Sequence, residues 1–176
     1  MKKLLSILLI TAGFIQISAG QRIVKNETDE FTGKKTIHTD WKKINQTFKF
    51  NASFRLVIQD KTTFFDLKFM KGSGGKVFSV LKGQDLMLKT DKGTIVKLKC
   101  RETQMSCRGC GSTGFMGSKA QGVNVYYIVD QENAETLSKE TVTKLRFYYR
   151  EAYVEGKVSS GGGKRIKKAF NLIKGK

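Results

Sequence analysis

The chain reads as an α+β domain: mostly an antiparallel β-sheet meander, with one short helix and an amphipathic C-terminal helix. Three features predict this. Apolar and polar residues alternate with period two from Thr36 to about Arg101, turn-forming residues separate the alternating runs, and the C-terminal residues carry an apolar stripe of helical period.

The elements follow in order. Lys2 and Lys3 precede an apolar run from Leu4 to Ile17, and Ser18-Ala19-Gly20 supplies the small side chains of a cleavage point. Residues 1–20 therefore read as a secretory signal peptide, too short for a comfortable membrane span. Residues 21–176 form one domain with no transmembrane segment, large enough to bury a core without metal or disulfides. Residues 21–35 are polar and read as an extended arm or first edge strand. Next, Phe48 and Phe50 flank Lys49, while Phe54, Leu56 and Ile58 share one face with Arg55 and Gln59 on the other. Gln59-Asp60-Lys61-Thr62 turns the chain into Phe65, Leu67 and Phe69, which alternate with Asp66 and Lys68. Gly72 to Gly75 is a flexible turn before Val77 to Val80. Lys82 to Asp85 and Asp91-Lys92-Gly93 are further turns, the second a hairpin signal. Between and after them, Leu86, Leu88, Val96, Leu98 and Cys100 point inward, and Ile95, Lys97, Lys99 and Arg101 point out.

Residues 102–122 interrupt the rhythm with glycines and two cysteines. Val123 to Val129 resumes as a strand, and Asp130 caps a short helix reaching about Lys139, with Glu132 and Glu135 where negative charge suits the helix dipole. A hairpin then places Leu145, Phe147 and Tyr149 on one side and Lys144, Arg146 and Tyr148 on the other, turning at Arg150-Glu151. Ser159 to Gly163 reads as a flexible joint. The final helix, Gly163 to Lys174, lines up Ile166, Ala169, Phe170 and Ile173.

Charge narrows the partner. The formal charge is +18, with 33 Lys and Arg against 15 Asp and Glu, and loss of Lys2 and Lys3 lowers it to +16. Such a balance suits an anionic envelope component: a lipid headgroup, lipopolysaccharide or acidic glycan. Only seven of the cations are arginine. Bidentate phosphate or base readout prefers the guanidinium fork, so lysine dominance and export both argue against nucleic acid. Two clusters are candidates for an anionic partner. One is Lys144, Arg146 and Tyr148 on the last hairpin, where cations interleave with aromatics. The other is Lys164, Arg165, Lys167 and Lys168 on the C-terminal helix, which either lies on an anionic surface or docks its stripe on the sheet.

Cys100, Cys107 and Cys110 have the spacing C-x6-C-x2-C, and four readings compete. A zinc site lacks a fourth ligand, because His38 is the only histidine and is remote in sequence. A redox dithiol at Cys107 and Cys110 gains from adjacent Arg108, but lacks the helix start and cis-proline of a thioredoxin-like site, since the chain has no proline at all. A structural disulfide, favoured by an oxidising compartment, joins Cys100 to Cys107 or Cys110 and stabilises by about 2 kcal/mol in the chain-entropy picture. Free or buried thiols are the fourth. No residue qualifies as catalytic, and neither a cofactor nor a metal motif is legible.

Asp29-Glu30-Phe31-Thr32-Gly33, Cys107-Arg108-Gly109-Cys110-Gly111 followed by Ala120-Gln121-Gly122, and the closing hairpin and helix resemble a family of small, uncharacterised exported proteins of Gram-negative bacteria. The resemblance implies a periplasmic or secreted location and brings no catalytic residues. The expectation is a non-catalytic binding or envelope-associated module for an anionic partner. A thiol-redox protein and a secreted inhibitor or adaptor are the alternatives.

Overall fold

The structure, a computed structural model, describes residues 20–46, 50–71, 76–111, 120–150 and 152–176. The expected signal peptide up to Ala19, Phe48 and Lys49, and the glycine turn at 72–75 lie outside the described residues.

The chain runs β1 (Ile23–Thr28), β2 (Lys35–Thr39), β3 (Lys42–Gln46), β4 (Phe50–Gln59), β5 (Thr62–Lys71), β6 (Ser79–Val80), β7 (Asp85–Thr90) and β8 (Ile95–Cys100). It continues through β9 (Gln104–Met105), β10 (Cys107–Arg108), β11 (Gln121–Val129), α1 (Gln131–Lys139), β12 (Val142–Tyr149), β13 (Ala152–Lys157) and α2 (Ser160–Ile173). This is the α+β, mostly antiparallel class that the alternation predicts. The main sheet has the order β1-β2-β4-β5-β11-β8-β7-β12-β13, with β3 also on β4 and β10 also on β11. β6 and β9 pair separately. Most of this is a run of hairpins. The departure from a simple meander is β11, which inserts between β5 and β8: it pairs with β5 from Gly122 to Val129 and with β8 at Tyr127 and Ile128.

Positive φ marks two of the tight turns the sequence signals, Asp60 at 55° between β4 and β5 and Gly93 at 89° between β7 and β8. Strict alternation then puts Phe54, Leu56, Phe65, Leu67, Phe69, Val125 and Tyr127 on one concave face, each at most 1% exposed. The sheet curls around them. Phe69 stacks on Phe147 with centroids 4.1 Å apart, and Phe50 stacks on Phe69 at 5.3 Å. These contacts join β4 and β5 to β12 across the core. The curl brings the β13 end back to β3, where the Ser159 amide donates to the Ile44 carbonyl at 3.1 Å. Burying each such side chain stabilises by about 1.5–3 kcal/mol, so this aromatic interior dominates the packing energy.

Helix α1 starts where its cap predicts: the Asn133 amide donates to Asp130 Oδ1 at 2.7 Å. Helix α2 corrects the sequence reading. Its first turn includes Gly161 to Gly163, the residues expected to form a flexible joint, and Ser159 caps it by accepting from the Gly162 amide at 3.0 Å. The glycines are there for close approach. A Cβ on Gly162 would stand 2.6 Å from the Ile44 carbonyl oxygen, and one on Gly163 would overlap that of Val142. Tertiary contact outweighs their poor helix propensity. Beyond them, Ile166, Ala169, Phe170 and Ile173 are buried against the sheet, so the apolar stripe is core rather than a membrane-facing surface. Among the described residues no helix is long and apolar enough to cross a membrane.

Candidate functional site

Strands β7, β8, β12 and β13 form the last part of the sheet, with one face packed inward and the other open. Register assembles the open face. Ile95 pairs with Lys89, Lys89 with Lys144, and Lys144 with Lys157, giving three lysines abreast on neighbouring strands. The next row is Lys97, Met87, Arg146 and Glu155. Lys99, Asp85, Tyr148 and Tyr153 lie beyond it. With a strand spacing of about 4.8 Å, the lysine row presents a positive charge at each of three successive intervals.

The two carboxylates on this face are already engaged. Lys99 Nζ lies 2.7 Å from Asp85 Oδ1, and Arg146 donates to Glu155 Oε2 through Nε at 2.9 Å and Nη2 at 2.6 Å. Arg146 also donates to the Tyr148 hydroxyl at 3.4 Å and lies 4.6 Å from the Tyr153 ring centroid. Hydrogen bonds to Tyr148 and Glu155 hold its pKa above the ordinary value, and the same guanidinium holds the Glu155 carboxyl below its own. Lys89, Lys97, Lys144 and Lys157 have no carboxylate within ion-pair distance among the described residues. Like charges placed directly opposite each other destabilise a sheet, and an anion laid along the row relieves that repulsion. A depression of about 300 Å³ lies here, lined by Met87, Lys89, Ile95, Lys144, Leu145, Arg146 and Glu155. Beside it Tyr148 and Tyr153 sit 5.6 Å apart, with Tyr153 54% exposed.

Lys144, Arg146 and Tyr148, predicted from the sequence, are thus brought together, and Lys89, Lys97 and Lys157 join them. These three carry a period-two signal in the sequence, but only the strand order makes β7 the neighbour of β12. The second predicted cluster divides. Arg165 Nη1 donates to the Lys43 carbonyl at 3.1 Å, and Lys167 Nζ to the Lys139 carbonyl at 2.6 Å, where it satisfies an orphan acceptor at the end of α1. Lys164 and Lys168 remain exposed, one turn apart.

The cysteines also divide, and the expected bridge to Cys100 is corrected. The sulfurs at disulfide distance are those of Cys107 and Cys110, whose Cα atoms are 5.3 Å apart. Cys100 is buried on the inner face of β8 and donates from Sγ to the Glu102 carbonyl at 2.9 Å. Strand alternation sends its side chain into the core, while β10 carries Cys107 to the exposed edge of β11. Burial raises the Cys100 thiol pKa.

A further cluster lies on the outer face of β2, β4, β5 and β11. Asp66 has a fully buried side chain and accepts from Arg55 Nε at 2.7 Å. Arg55 Nη1 approaches His38 Nδ1 at 3.2 Å, and Trp41 takes Arg55 and Lys68 at 4.7 and 4.2 Å from its ring centroid. Burial raises the Asp66 pKa despite the guanidinium, and lowers those of His38 and Lys68. Period two already places Arg55, Asp66 and Lys68 on one face, but nothing local shows that Trp41 covers them. No protein-family profile, curated protein or solved structure matches the chain.

Proposed function

We propose that this protein is an exported, non-catalytic binding module that holds an acidic glycan of the bacterial envelope on the outer face of β7, β8, β12 and β13. The observation that carries the reading is the lysine row Lys89–Lys144–Lys157, which has no carboxylate within ion-pair distance among the described residues and lies beside a pair of tyrosines. Ammonium groups attract a linear polyanion without demanding fixed geometry, while exposed tyrosine offers a flat amphipathic surface to a sugar ring. The resemblance to exported proteins and the signal-like leader support the exported part of this reading.

The test is titration of the purified protein with polygalacturonate, dextran sulfate and neutral dextran at low and raised salt. Both acidic polymers are expected to bind, with affinity falling as salt rises, and the neutral one is not. Lys89→Glu/Lys144→Glu is expected to weaken binding about tenfold or more, whereas Lys164→Glu/Lys168→Glu on α2 changes it less. Glu155→Gln, which releases Arg146, strengthens it. No binding at low salt, equal loss from both charge reversals, or tighter binding of single-stranded DNA overturns the proposal.

A further inference from the structure

A second concavity shares no lining residue with the lysine platform. It is a groove of about 760 Å³ between the end of β5, the segment leading into β6, and the β12–β13 turn. Its floor is aromatic: Phe78 packs on Tyr149 with centroids 5.1 Å apart, continuous with the Phe69–Phe147 stack of the core. Val77 and Leu81 flank it, 57% and 44% exposed, and Met105, paired across from Ser79, is 67% exposed. Exposed branched side chains gathered beside an aromatic floor form an apolar channel with no cover among the described residues.

The rim is cationic. Lys71 donates to the Tyr149 hydroxyl at 3.5 Å, its one side-chain hydrogen bond among the described residues, and Lys76 is exposed. Arg150 is held in a set position. Its φ of 47° lies in the left-handed region, and the conformation is secured by three bonds: its amide to the Ser79 carbonyl, its Nε to Ser79 Oγ, both at 3.1 Å, and its carbonyl from Gln84 Nε2. Among the described residues only Nε has a partner, so the terminal nitrogens of the fork are left for a ligand. Among the described residues none of the three cations has a carboxylate at ion-pair distance.

We propose that this groove binds one molecule of a single-chain anionic amphiphile, with the carboxylate or phosphate head on Lys71, Lys76 and Arg150 and the hydrocarbon tail along Val77, Phe78, Leu81 and Tyr149. The volume lies within the range of small-molecule sites, about 300–1,000 Å³. Apolar floor and cationic rim match the two ends of such a ligand, and neither end alone satisfies both.

The test is isothermal titration of the purified protein with dodecyl phosphate below its micelle concentration. Inorganic phosphate serves as the head alone and dodecyl maltoside as a neutral amphiphile. Dodecyl phosphate is expected to bind about tenfold or more tighter than either. Lys76→Glu and Leu81→Asn, both at exposed positions, are each expected to cost about tenfold without lowering the melting temperature, while Lys144→Glu on the platform leaves affinity unchanged. Equal affinity for inorganic phosphate or for the maltoside overturns the proposal. So does indifference to both groove substitutions, or binding to anionic vesicles with none to the monomeric amphiphile.

Discussion

Replacing Gly162 by alanine is expected to destabilise the protein, although the residue lies in a helix and alanine is the better helix former. A Cβ at this position would stand 2.6 Å from the Ile44 carbonyl oxygen, 2.8 Å from Ile44 Cα and 2.9 Å from Ser159 Oγ. Ordinary van der Waals separation requires the two backbones to part by about 1 Å. Neither side yields cheaply. Ile44 is 1% exposed and its carbonyl accepts the Ser159 amide, while α2 is held by Ile166 and Ala169, both 0% exposed. Overpacking of this kind costs about 1–3 kcal/mol, and parting also weakens the Ser159–Ile44 bond by about 1 kcal/mol. The gain in helix propensity offsets about 1 kcal/mol, leaving a net loss of about 1–3 kcal/mol. Gly161 is the control: a Cβ there meets nothing within 4 Å, so Gly161→Ala is expected to stabilise by about 0.5–1 kcal/mol. Urea unfolding followed by circular dichroism reads both, and with a slope of about 2 kcal/mol/M the midpoints should separate by about 1–2 M. Equal midpoints, or a Gly162→Ala protein more stable than Gly161→Ala, would refute the close-approach account of the glycine run.

Removal of Arg55 by Arg55→Met leaves the buried Asp66 carboxylate without its partner and is expected to cost about 3 kcal/mol near neutral pH. The Asp66 pKa is already raised by burial, and loss of the guanidinium raises it further, so the folded state of the variant holds this proton more tightly than the unfolded state. Stability is therefore lost as pH climbs from the ordinary carboxylate value through the folded one, and the deficit against wild type should shrink near pH 4; an unchanged or larger deficit in acid contradicts the assignment. Tyr127 is fully buried and its hydroxyl has no partner among the described residues, so Tyr127→Phe is expected to be neutral or to stabilise by up to about 1 kcal/mol in the same assay. For the cysteines, thiol titration without reductant should find Cys100 inert in the native protein and one reactive thiol after denaturation, with all three appearing only after reduction. Peptide mapping that finds the label on Cys107 or Cys110 instead would show that Cys100 takes part in the bridge.

Alternation alone separated the inward residues Phe54, Leu56, Phe65 and Leu67 from outward Arg55 and Lys68, because a strand exposes successive side chains to opposite sides whatever its partners. The Asp60, Gly93 and Asp130 turns and cap were legible for the same reason: their chemistry acts within a few residues of chain. Half of the candidate site was readable too, since Lys144, Arg146 and Tyr148 share one strand. Lys89 and Lys157 could not be joined to them from sequence, because that depends on β12 pairing with β7 on one edge and with β13 on the other. The glycine run before α2 misleads for a related reason: composition shows freedom of the backbone, whereas the requirement there is absence of a side chain against Ile44 and Val142.

What the sequence by itself determined is therefore the class, the faces of each strand and the sign of the charge. Only the tertiary structure decided which charges stand together. It also selected Cys110 over Cys100 as the neighbour of Cys107, since burial on β8 removes Cys100 from reach. Local periodicity follows from bond geometry and needs no partner. Register, curl and strand order follow from closing an aromatic core between residues far apart in the chain, and these bring the lysine row and the amphiphile groove into being.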